Sequence, residues 1–354
     1  MAERNPYFPI DPNTGFCSET RTYHSLRTPI SLPPEDQPLS VAEYCLSLFR
    51  STSVSGDTSF VVNATNGQTM SYSQFISQIN SLAYSLHKRY SLSPNDVAFI
   101  LAPPSLQIPL LYFALVSLGV AVSPANPISS NSEVTHQIQL AKPVIAFATS
   151  QTSHKIPPLK LKHGTVILDS PEFLSFLTQT NIDNGFITRV KVKQSDTAAI
   201  LYSSGTTGPV KGVMLTQRNL IALMAEIHCH NLADAKEKGE PQRSVTFITV
   251  PLFHVFGFFM LLGAVLGADT VVFLERFDFE EMLRAVEKYK ITGMPVSPPL
   301  VLGFVKSNLT KKYDLSSLDT LGSGGAPLGK ELALQFKEKF PNVLLVQVLF
   351  SLPI

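Results

Sequence analysis

Charged residues are scarce in this chain. Asp, Glu, Lys and Arg make up 16% of its 354 residues, whereas about 25% is usual for a globular protein. The 28 basic and 27 acidic residues nearly cancel and leave a net charge of +1. A chain without a basic field does not attract nucleic acid or an anionic membrane, so nucleic acid is excluded as a partner. The hydrophobic fraction of 44% predicts extensive burial and excludes wholesale disorder.

Cysteine and an apolar leader are lacking as well. The three cysteines, Cys17, Cys45 and Cys229, are odd in number and far apart, so they cannot form a disulfide framework or a Cys-x-x-Cys metal site. The first residues, Met-Ala-Glu-Arg-Asn-Pro, contain no apolar segment of the kind found in a secretory signal. We therefore predict a protein of a reducing compartment that is not secreted and holds no metal through its own side chains.

Two long uncharged stretches, 97–132 and 244–268, exceed the roughly 20 residues that can span a bilayer. Prolines and glycines interrupt both stretches, among them Pro109 in the first and Pro251 in the second. Strands of a parallel sheet are covered on both faces and also read as continuous apolar runs. The sequence therefore predicts buried elements and no membrane span.

Strand-like and helix-like segments alternate from about residue 40 onward. Residues 72–90 have the apolar spacing of an amphipathic helix, which a capping box of Ser71 and Gln74 would open. Such alternation is typical of an α/β fold with a parallel sheet. Residues 1–38 have no sustained period and predict an extended N-terminal arm, followed by one domain over 39–354. We predict strands at 97–101, 120–122, 144–148, 245–250, 271–274 and 343–350, and further helices at 106–118, 132–140 and 279–289.

The most informative segment is Tyr202-Ser-Ser-Gly-Thr-Thr-Gly-Pro-Val-Lys211, which follows the apolar residues 198–201. Its hydroxyl groups, glycines and lysine suit an anion, because backbone N–H groups approach a ligand closely where no Cβ intervenes. We interpret it as a polyphosphate-binding loop, and a flexible Ser/Gly loop without a ligand is the alternative. It is not a Walker loop, since Val210, Lys211 and Gly212 stand where that pattern requires Gly, Lys and then Ser or Thr.

Together with two further motifs, this segment resembles the adenylate-forming acyl-CoA synthetases, most closely the plant 4-coumarate:CoA ligases and ligase-like proteins. The motifs are YSSGTTGPVKGVMLTQRNL at 202–220, VPLFHVFG at 250–257 and GSGGAPLGKE at 322–331, in the order and at the separation of that family. The resemblance implies the large N-terminal, AMP-binding domain of these enzymes, an α/β fold with stacked mixed and parallel sheets flanked by helices. The implied reaction joins a carboxylic acid to ATP, with Mg²⁺, as an acyl-adenylate, and then passes the acyl group to coenzyme A.

The resemblance also implies which residues hold the phosphates of ATP. Adenylation places charge on phosphate oxygens, and preplaced donors stabilise that charge without reorganisation. The implied phosphate-binding residues are Ser203, Ser204, Gly205, Thr206, Thr207, Gly208 and Lys211.

The remaining implied residues lie in the two other motifs, between them and, for Gln347, beyond them. Four of these residues have a plainer alternative: a structural histidine in an aromatic core for His254, simple core positions for Phe256 and Met260, and a solvated charge for Arg276. The implied residues are His254, Phe256 and Met260 in the acyl pocket, Gly324, Gly325, Ala326 and Gln347 against the adenylate, and Arg276 at the phosphates of coenzyme A.

The resemblance ends at Gln347. Family members continue with Gly-Tyr-Gly, then Leu or Met, then Thr-Glu, whereas this chain reads Val-Leu-Phe-Ser-Leu-Pro-Ile to residue 354. We therefore expect a truncated chain, incomplete at the C-terminal end of its large domain and without the smaller C-terminal domain and its lysine. Two functions stay open: an acyl-CoA ligase for hydroxycinnamates or fatty acids in the cytoplasm or a peroxisome, and an inactive remnant or regulatory binding fragment.

Overall fold

The structure is a computed structural model. It describes residues 10–27, 29–158, 161–179, 186–203, 210–238 and 243–347, with the backbone alone at 188 and 234–238. The chain divides into two compact units, 1–33 and 34–354. The boundary falls inside the arm predicted over 1–38, and the division into arm and domain stays a prediction.

The first unit contains two short antiparallel strands, β1 (Phe16–Cys17) and β2 (Thr22–Tyr23). Gly15 precedes β1 with a φ of +74°, and a Cβ at this position would collide with the carbonyl oxygen of His24. Only glycine permits this close turn. The described part of the predicted arm is therefore paired locally and is not wholly extended.

The second unit is built of alternating strands and helices. Among its described residues the strands are β3 (Ser59–Asn63), β4 (Thr69–Ser71), β5 (Val97–Leu101), β6 (Ala121–Pro124), β7 (Ile145–Ala148), β8 (Thr165–Ile167), β9 (Thr197–Ser203), β10 (Lys211–Thr216), β11 (Val245–Phe247), β12 (Thr270–Phe273), β13 (Gly293–Val296), β14 (Thr320–Ser323) and β15 (Leu344–Gln347). The α-helices are α1 (Val41–Arg50), α2 (Tyr72–Tyr90), α3 (Gln107–Ser117), α4 (Asn131–Ala141), α5 (Pro171–Phe176), α6 (Phe186–Arg189), α7 (Gln217–Lys238), α8 (Val255–Leu266), α9 (Phe279–Tyr289), α10 (Pro298–Lys306) and α11 (Lys330–Lys339).

These strands form two sheets. The six-stranded sheet has the order β10-β9-β6-β5-β7-β8, and the seven-stranded sheet has the order β15-β14-β13-β11-β12-β3-β4. Within the described residues, neighbouring strands run parallel except in the pairs β9–β10 and β3–β4, which are antiparallel. The predicted α/β architecture of stacked mixed and parallel sheets is confirmed.

The two sheets share a middle layer of helices, α1, α2, α3 and α8. Successive side chains of a strand face opposite sides of its sheet. Ile100 of β5 therefore joins the middle core, while its neighbour Phe99 packs outward with Val134 of α4. Likewise Val61 of β3 faces the middle layer, and Val62 packs outward in the core that α9, α10 and α11 cover. The result is five layers, helix, sheet, helix, sheet and helix.

The middle layer explains the long uncharged stretches. In α3 every residue from Ile108 to Ser117 is buried, and most of α8 is buried as well. A helix covered on all sides has no polar face, so it reads as hydrophobic all round. Among the described residues, no helix is long and apolar enough to cross a membrane.

The helix predicted over 72–90 is confirmed as α2, together with its capping box. The amide of Gln74 donates to Ser71 Oγ at 3.3 Å, and the amide of Ser71 donates to Gln74 Oε1 at 2.9 Å. Two orphan N–H groups of the first turn are thus satisfied reciprocally.

Several strands differ from the sequence-based expectation. β3, β4, β8, β10 and β13 have no counterpart among the predicted strands. The strand predicted at 245–250 ends at Phe247, and Pro251, which has no N–H to donate, lies just beyond it. The strand predicted at 343–350 is described as β15 from Leu344 to Gln347, and 348–350 lie outside the described residues.

Candidate functional site

The carboxyl ends of parallel strands in both sheets border one mostly apolar cavity of about 190 Å³, which we call the inter-sheet cavity. Ala102 follows β5 and Ala125 follows β6 on one side, and Leu274 follows β12 on the other. Ligands of α/β proteins bind outside the carboxyl ends of the strands. None of the sequence-predicted site residues that the structure describes is itself among the residues that line this cavity, but Phe253, next to His254, and Glu275 and Phe277, on either side of Arg276, do line it.

Two of the predicted phosphate-binding residues lie at the base of the β9–β10 hairpin. Ser203 ends β9 and Lys211 begins β10, and the two residues are direct partners in the antiparallel pair. The Lys211 side chain is exposed, so its ammonium group is accessible to an anion. The other five, Ser204, Gly205, Thr206, Thr207 and Gly208, lie outside the described residues.

Helix α4 holds both sides of this hairpin base. The Tyr202 hydroxyl donates its proton to the carbonyl oxygen of Gln137 at 3.1 Å. It lies 2.6 Å from Ser123 Oγ, and in that second hydrogen bond Ser123 is therefore the donor. His136 Nε2 lies 3.2 Å from the carbonyl oxygen of Val210. Burial raises the pKa of Tyr202 to about 12, although the hydrogen bond with Ser123 lowers it. The tyrosine therefore stays neutral and acts as an anchor.

His254 caps the N-terminus of α8. Its Nδ1 accepts a hydrogen bond from the Phe256 amide at 3.3 Å, so the proton of the neutral ring is on Nε2. The imidazole is exposed, yet surrounding atoms desolvate part of it and lower the pKa of His254. A Cβ on Gly257 would collide with the carbonyl oxygen of Pro251, which explains why glycine follows the histidine motif. His254 thus presents a neutral ring with a free direction at Nε2.

Phe256 and Met260, predicted in the acyl pocket, line a groove of about 530 Å³ between α7 and α8. We call it the α7–α8 groove. Phe259 lines it from α8, and Leu223 and Ile227 line it from α7. Phe253, just before His254, lines the inter-sheet cavity instead. In the chain, His254 therefore stands between a residue of the cavity and a residue of the groove.

The predicted adenylate-binding residues follow β14 and end β15. Gly324 is buried and its amide donates to the carbonyl oxygen of Val296 at 3.0 Å, whereas Gly325 and Ala326 are exposed. Gly325 has a φ of +82°, which glycine adopts without strain. Gln347 ends β15 beside this turn, since it is the ladder partner of Ser323.

Ser323, just before Gly324, is fully buried, and its Oγ has no hydrogen-bond partner among the described residues. A ligand on the exposed backbone of Gly325 does not reach this buried hydroxyl. The fit to a planar group such as an adenine therefore rests on the open backbone at Gly325 alone.

Arg276 lies in the exposed loop between β12 and α9, with both of its sequence neighbours at the inter-sheet cavity. Glu275 accepts from Asn63 Nδ2 at 2.8 Å, and its amide donates to Thr65 Oγ1 at 3.1 Å. These bonds fix the loop to the turn after β3, so that the guanidinium group can reach an anion outside the cavity.

Two residues that sequence reasoning did not single out, Arg243 and Asp269, line the inner end of the α7–α8 groove. They flank the uncharged stretch 244–268 in the sequence. The available signal was a charged residue at each end of a long apolar segment. In the fold, the two ends of this segment lie close together.

Metal ligation by side chains receives no support from the described residues. Among them, no group of three or more His, Cys, Asp and Glu side chains could hold a metal ion. The cysteines are all free, with Cys17 and Cys45 buried and Cys229 exposed.

The site lies in a chain that belongs to the AMP-binding enzyme family, whose sequence profile matches residues 48–349. The resemblance found in the sequence motifs is thereby confirmed. The match covers all of the elements that border the inter-sheet cavity and the α7–α8 groove.

Curated relatives are plant ligase-like proteins. 4-coumarate–CoA ligase-like 9 of Arabidopsis thaliana is 53% identical over 346 residues, which are 96% of this chain and 61% of that protein. 4-coumarate–CoA ligase-like 5 of Oryza sativa subsp. japonica is 45% identical, over 98% of this chain and 65% of that protein. Peroxisomal OPC-8:0-CoA ligase 1 of Arabidopsis thaliana is 33% identical, over 96% and 61%. The chain thus spans about three fifths of the length of these relatives.

Solved structures share the fold. The luciferase-like enzyme of the mealworm Zophobas morio has a TM-score of 0.73 at 21% identity, over 91% of this chain and 74% of that one. The N-terminal domain of FACL13 from Mycobacterium tuberculosis has a TM-score of 0.71 at 16% identity, over 88% and 76%. The predicted fold, the large N-terminal domain of an adenylate-forming enzyme, is confirmed.

Proposed function

We propose that this chain is the nucleotide- and acid-binding part of an ATP-dependent acyl-CoA ligase. A carboxylate oxygen of the acid attacks the α-phosphorus of ATP, which forms the acyl-adenylate and releases pyrophosphate. The thiol of coenzyme A then attacks the acyl carbon, gives up its proton and releases AMP. Mg²⁺ accompanies ATP and offsets charge on its phosphates.

The observation that carries this proposal is the position of His254. In the chain, His254 directly follows Phe253, which lines the inter-sheet cavity, and stands two residues before Phe256, which lines the α7–α8 groove. An acyl chain in the groove and a thiol that approaches through the cavity would meet at this histidine. Its neutral ring, with the proton on Nε2, can donate a hydrogen bond to an oxygen of the acyl group without adding a charge.

The nucleotide fits the adjacent strand ends. Lys211 brings a positive charge opposite Ser203, and Gly325, which follows the buried Gly324, offers open backbone to an adenine. Attack at phosphorus spreads negative charge over oxygens, and a fixed cation stabilises that charge more strongly than mobile water does. We assign these residues, with Ala326 and Gln347, to ATP and the adenylate.

Coenzyme A fits the opposite side of the cavity. Arg276 is exposed next to Glu275 and Phe277, which line the inter-sheet cavity. A guanidinium group can bind phosphate oxygens through two parallel hydrogen bonds. We assign Arg276 to the phosphates of coenzyme A, with the apolar cavity open to the thiol-bearing arm.

The acid is a small molecule with an apolar body, a hydroxycinnamate or a fatty acid, since Phe256, Phe259 and Met260 offer apolar surface and aromatic faces. One relative is named as peroxisomal, and the proposed compartment is the cytoplasm or the peroxisome.

A chimeric ligase tests the proposal. This chain is continued by the corresponding remainder of the 53% identical relative, and acyl-CoA formation is measured with a panel of carboxylic acids, ATP and coenzyme A. We expect thioester formation that depends on ATP. A chimera that folds and consumes no ATP with any acid contradicts the proposal.

Binding without ligation is the second function that the sequence left open. The 354-residue chain alone is assayed beside the chimera for nucleotide binding and for thioester formation. ATP binding without thioester formation supports a binding fragment, whereas turnover equal to that of the chimera contradicts it.

A further inference from the structure

The α7–α8 groove changes character along its length. Near His254 it is lined by Phe256 and Met260, and farther along α8 by Gly263 and Gly267. These four groove positions recur every three or four residues and so share one face of the helix. They extend over about 16 Å at a rise of about 1.5 Å per residue. Apart from the chain neighbours of Gly263 and the backbone of α8 itself, no atom of the described residues lies within 4 Å of the place that a Cβ on Gly263 would take, so the groove stays open at this position.

Arg243 closes the far end and is held rigidly there. Its Nε donates to the carbonyl oxygen of Ala268 at 2.7 Å, and its Nη2 donates to that of Ser59 at 2.6 Å and to Thr270 Oγ1 at 2.7 Å. These bonds use Nε and Nη2. Among the described residues, the N–H groups of Nη1 remain available to another acceptor.

Asp269 stands at the same end. Its Oδ2 is 3.1 Å from the place that a Cβ on Gly267 would take, so the carboxylate lies behind the last turn of α8. Burial raises the pKa of Asp269 to about 6. The hydrogen bond from the Ser244 amide and the charge of Arg243 both act in the opposite direction and lower this pKa. A desolvated carboxylate that is mostly ionised at neutral pH gains from a further donor.

We infer that the acid held in this groove carries a hydroxyl group at the end of its chain, remote from its carboxylate. This inference rests on the proposed function, because it takes the carboxylate to lie near His254. A hydroxyl group both donates and accepts. Its O–H donates to the carboxylate of Asp269, and its oxygen accepts from Nη1 of Arg243.

Other chain ends fit this place less well. An alkyl end would strip water from both charges and leave them without a new partner. A terminal carboxylate would place a second negative charge beside Asp269, which like-charge repulsion disfavours. Asp269 accepts a hydrogen bond and Arg243 donates one. Together they therefore select a neutral group that can both donate and accept.

Three acids of equal length test the inference on the 354-residue chain. Decanoic acid, its ω-hydroxy derivative and decanedioic acid are titrated by calorimetry at neutral pH. We expect the hydroxy acid to bind about tenfold more tightly than decanoic acid, as one or two hydrogen bonds to charged groups provide, and decanedioic acid to bind most weakly. Decanoic acid binding as tightly as the hydroxy acid, or more tightly, overturns the inference.

Variants locate the effect in the groove. Asp269→Asn should remove most of the preference for the hydroxyl group and should strengthen binding of decanedioic acid. Asp319→Asn, which removes the same charge at an exposed position, should change neither. Gly263→Leu places a side chain in the open part of the groove and should weaken the binding of all three acids. Thermal melts of each variant check that it is folded.

The outcomes separate this inference from the proposed function. If all three acids bind equally and Gly263→Leu weakens them, the groove is the acid site and only the hydroxyl preference is wrong. If none of the acids binds, both the inference and the assignment of the groove to an acid are wrong. A hydroxyl preference that survives Gly263→Leu in a folded variant also overturns the inference, because the site then lies elsewhere.

Discussion

The two sheets bring different chemistry to the site. The six-stranded sheet contributes the β9–β10 hairpin, with an exposed lysine opposite a serine and polar anchors to α4. The seven-stranded sheet contributes long connections between its parallel strands, which carry the capping histidine, the open glycine turn and the inner wall of the apolar groove. The six-stranded sheet offers a lysine and hydroxyl groups, and the seven-stranded sheet offers apolar walls that end at the charged Arg243 and Asp269.

The β9–β10 hairpin and the α7–α8 groove are also held in place in different ways. The described base of the hairpin is held by its own ladder, by Ser123 of β6 and by two hydrogen bonds to α4 and from it. The groove is part of the middle layer, where α8 is packed in the same core as both sheets. Changes at the hairpin should therefore affect nucleotide binding locally, whereas changes at the groove should affect acid binding and the stability of the whole unit.

The largest expected effect is at Lys211. Lys211→Ala in the chimeric ligase should lower the rate of acyl-adenylate formation about 10²-fold, because a fixed positive charge is lost where negative charge develops. Pyrophosphate release under single-turnover conditions measures this rate. Lys312→Ala, at an exposed lysine beside Glu280, serves as the control, and an unchanged rate in Lys211→Ala would exclude the assigned role.

The next effect concerns Asp269 and stability on the groove side. Its pKa of about 6 in the folded chain is above its ordinary value of 3.8. The folded state therefore holds the proton more tightly, and this contribution is fully present below pH 4 and is lost as the pH rises through 6. Relative to Asp269→Asn, the unmodified chain should lose about 2 kcal/mol of unfolding free energy between pH 4 and 7.

Urea unfolding of both chains across this pH range measures that difference. Arg243 and Tyr72, the other ionisable groups that interact with Asp269, remain in both chains. Parallel stability curves for the two chains would show that the carboxyl group is not desolvated in the folded state.

A smaller effect is expected at Tyr202. Tyr202→Phe removes the hydrogen bond to the Gln137 carbonyl and leaves the buried Ser123 hydroxyl without its partner, which costs about 1–2 kcal/mol. ATP affinity should fall severalfold while the affinity for the acid stays constant. Calorimetric titration with each ligand checks this, and equal losses for both ligands would break the contrast between the two sheets.

The smallest effect is expected at His136. His136→Ala frees the Val210 side of the hairpin and should weaken ATP binding about twofold to threefold, as the loss of one partly exposed hydrogen bond predicts. His136→Gln keeps a side-chain N–H donor and should bind ATP as the unmodified chain does. Equal weakening in the two variants would point to a role of the ring itself and not to the hydrogen bond.

Much of the fold could be predicted from local patterns. β5 and α2 follow from a short apolar run and from a 3.6-residue period with a capping box, since both signals arise within one element. β10 was missed because the charge and glycine at its start read as the end of the preceding loop. The pairing of β3 with β12 also has no local signal, because the two strands lie far apart in the sequence.

The candidate site divides in the same way. His254 and Phe256 stand in one short motif and Met260 follows one helical turn after Phe256, and the structure places all three in the first half of α8 or at its N-cap. Arg243 and Asp269 are brought together only by tertiary structure. Neither the groove end nor the inter-sheet cavity could be inferred from residue spacing, because each takes its walls from elements that the fold makes adjacent.

The β3–β12 pair has a consequence for synthesis of the chain. Asn63 at the end of β3 hydrogen-bonds Glu275, 212 residues later, and all of the six-stranded sheet is encoded between them. At about 5–20 residues per second, a ribosome needs roughly 10–40 s to deliver the second strand. During that time the β3–β4 hairpin has already been synthesised, but β12, the strand that pairs with β3, has not. The seven-stranded sheet is therefore completed only after the whole six-stranded sheet has been synthesised, and β3 stays without its partner β12 until then.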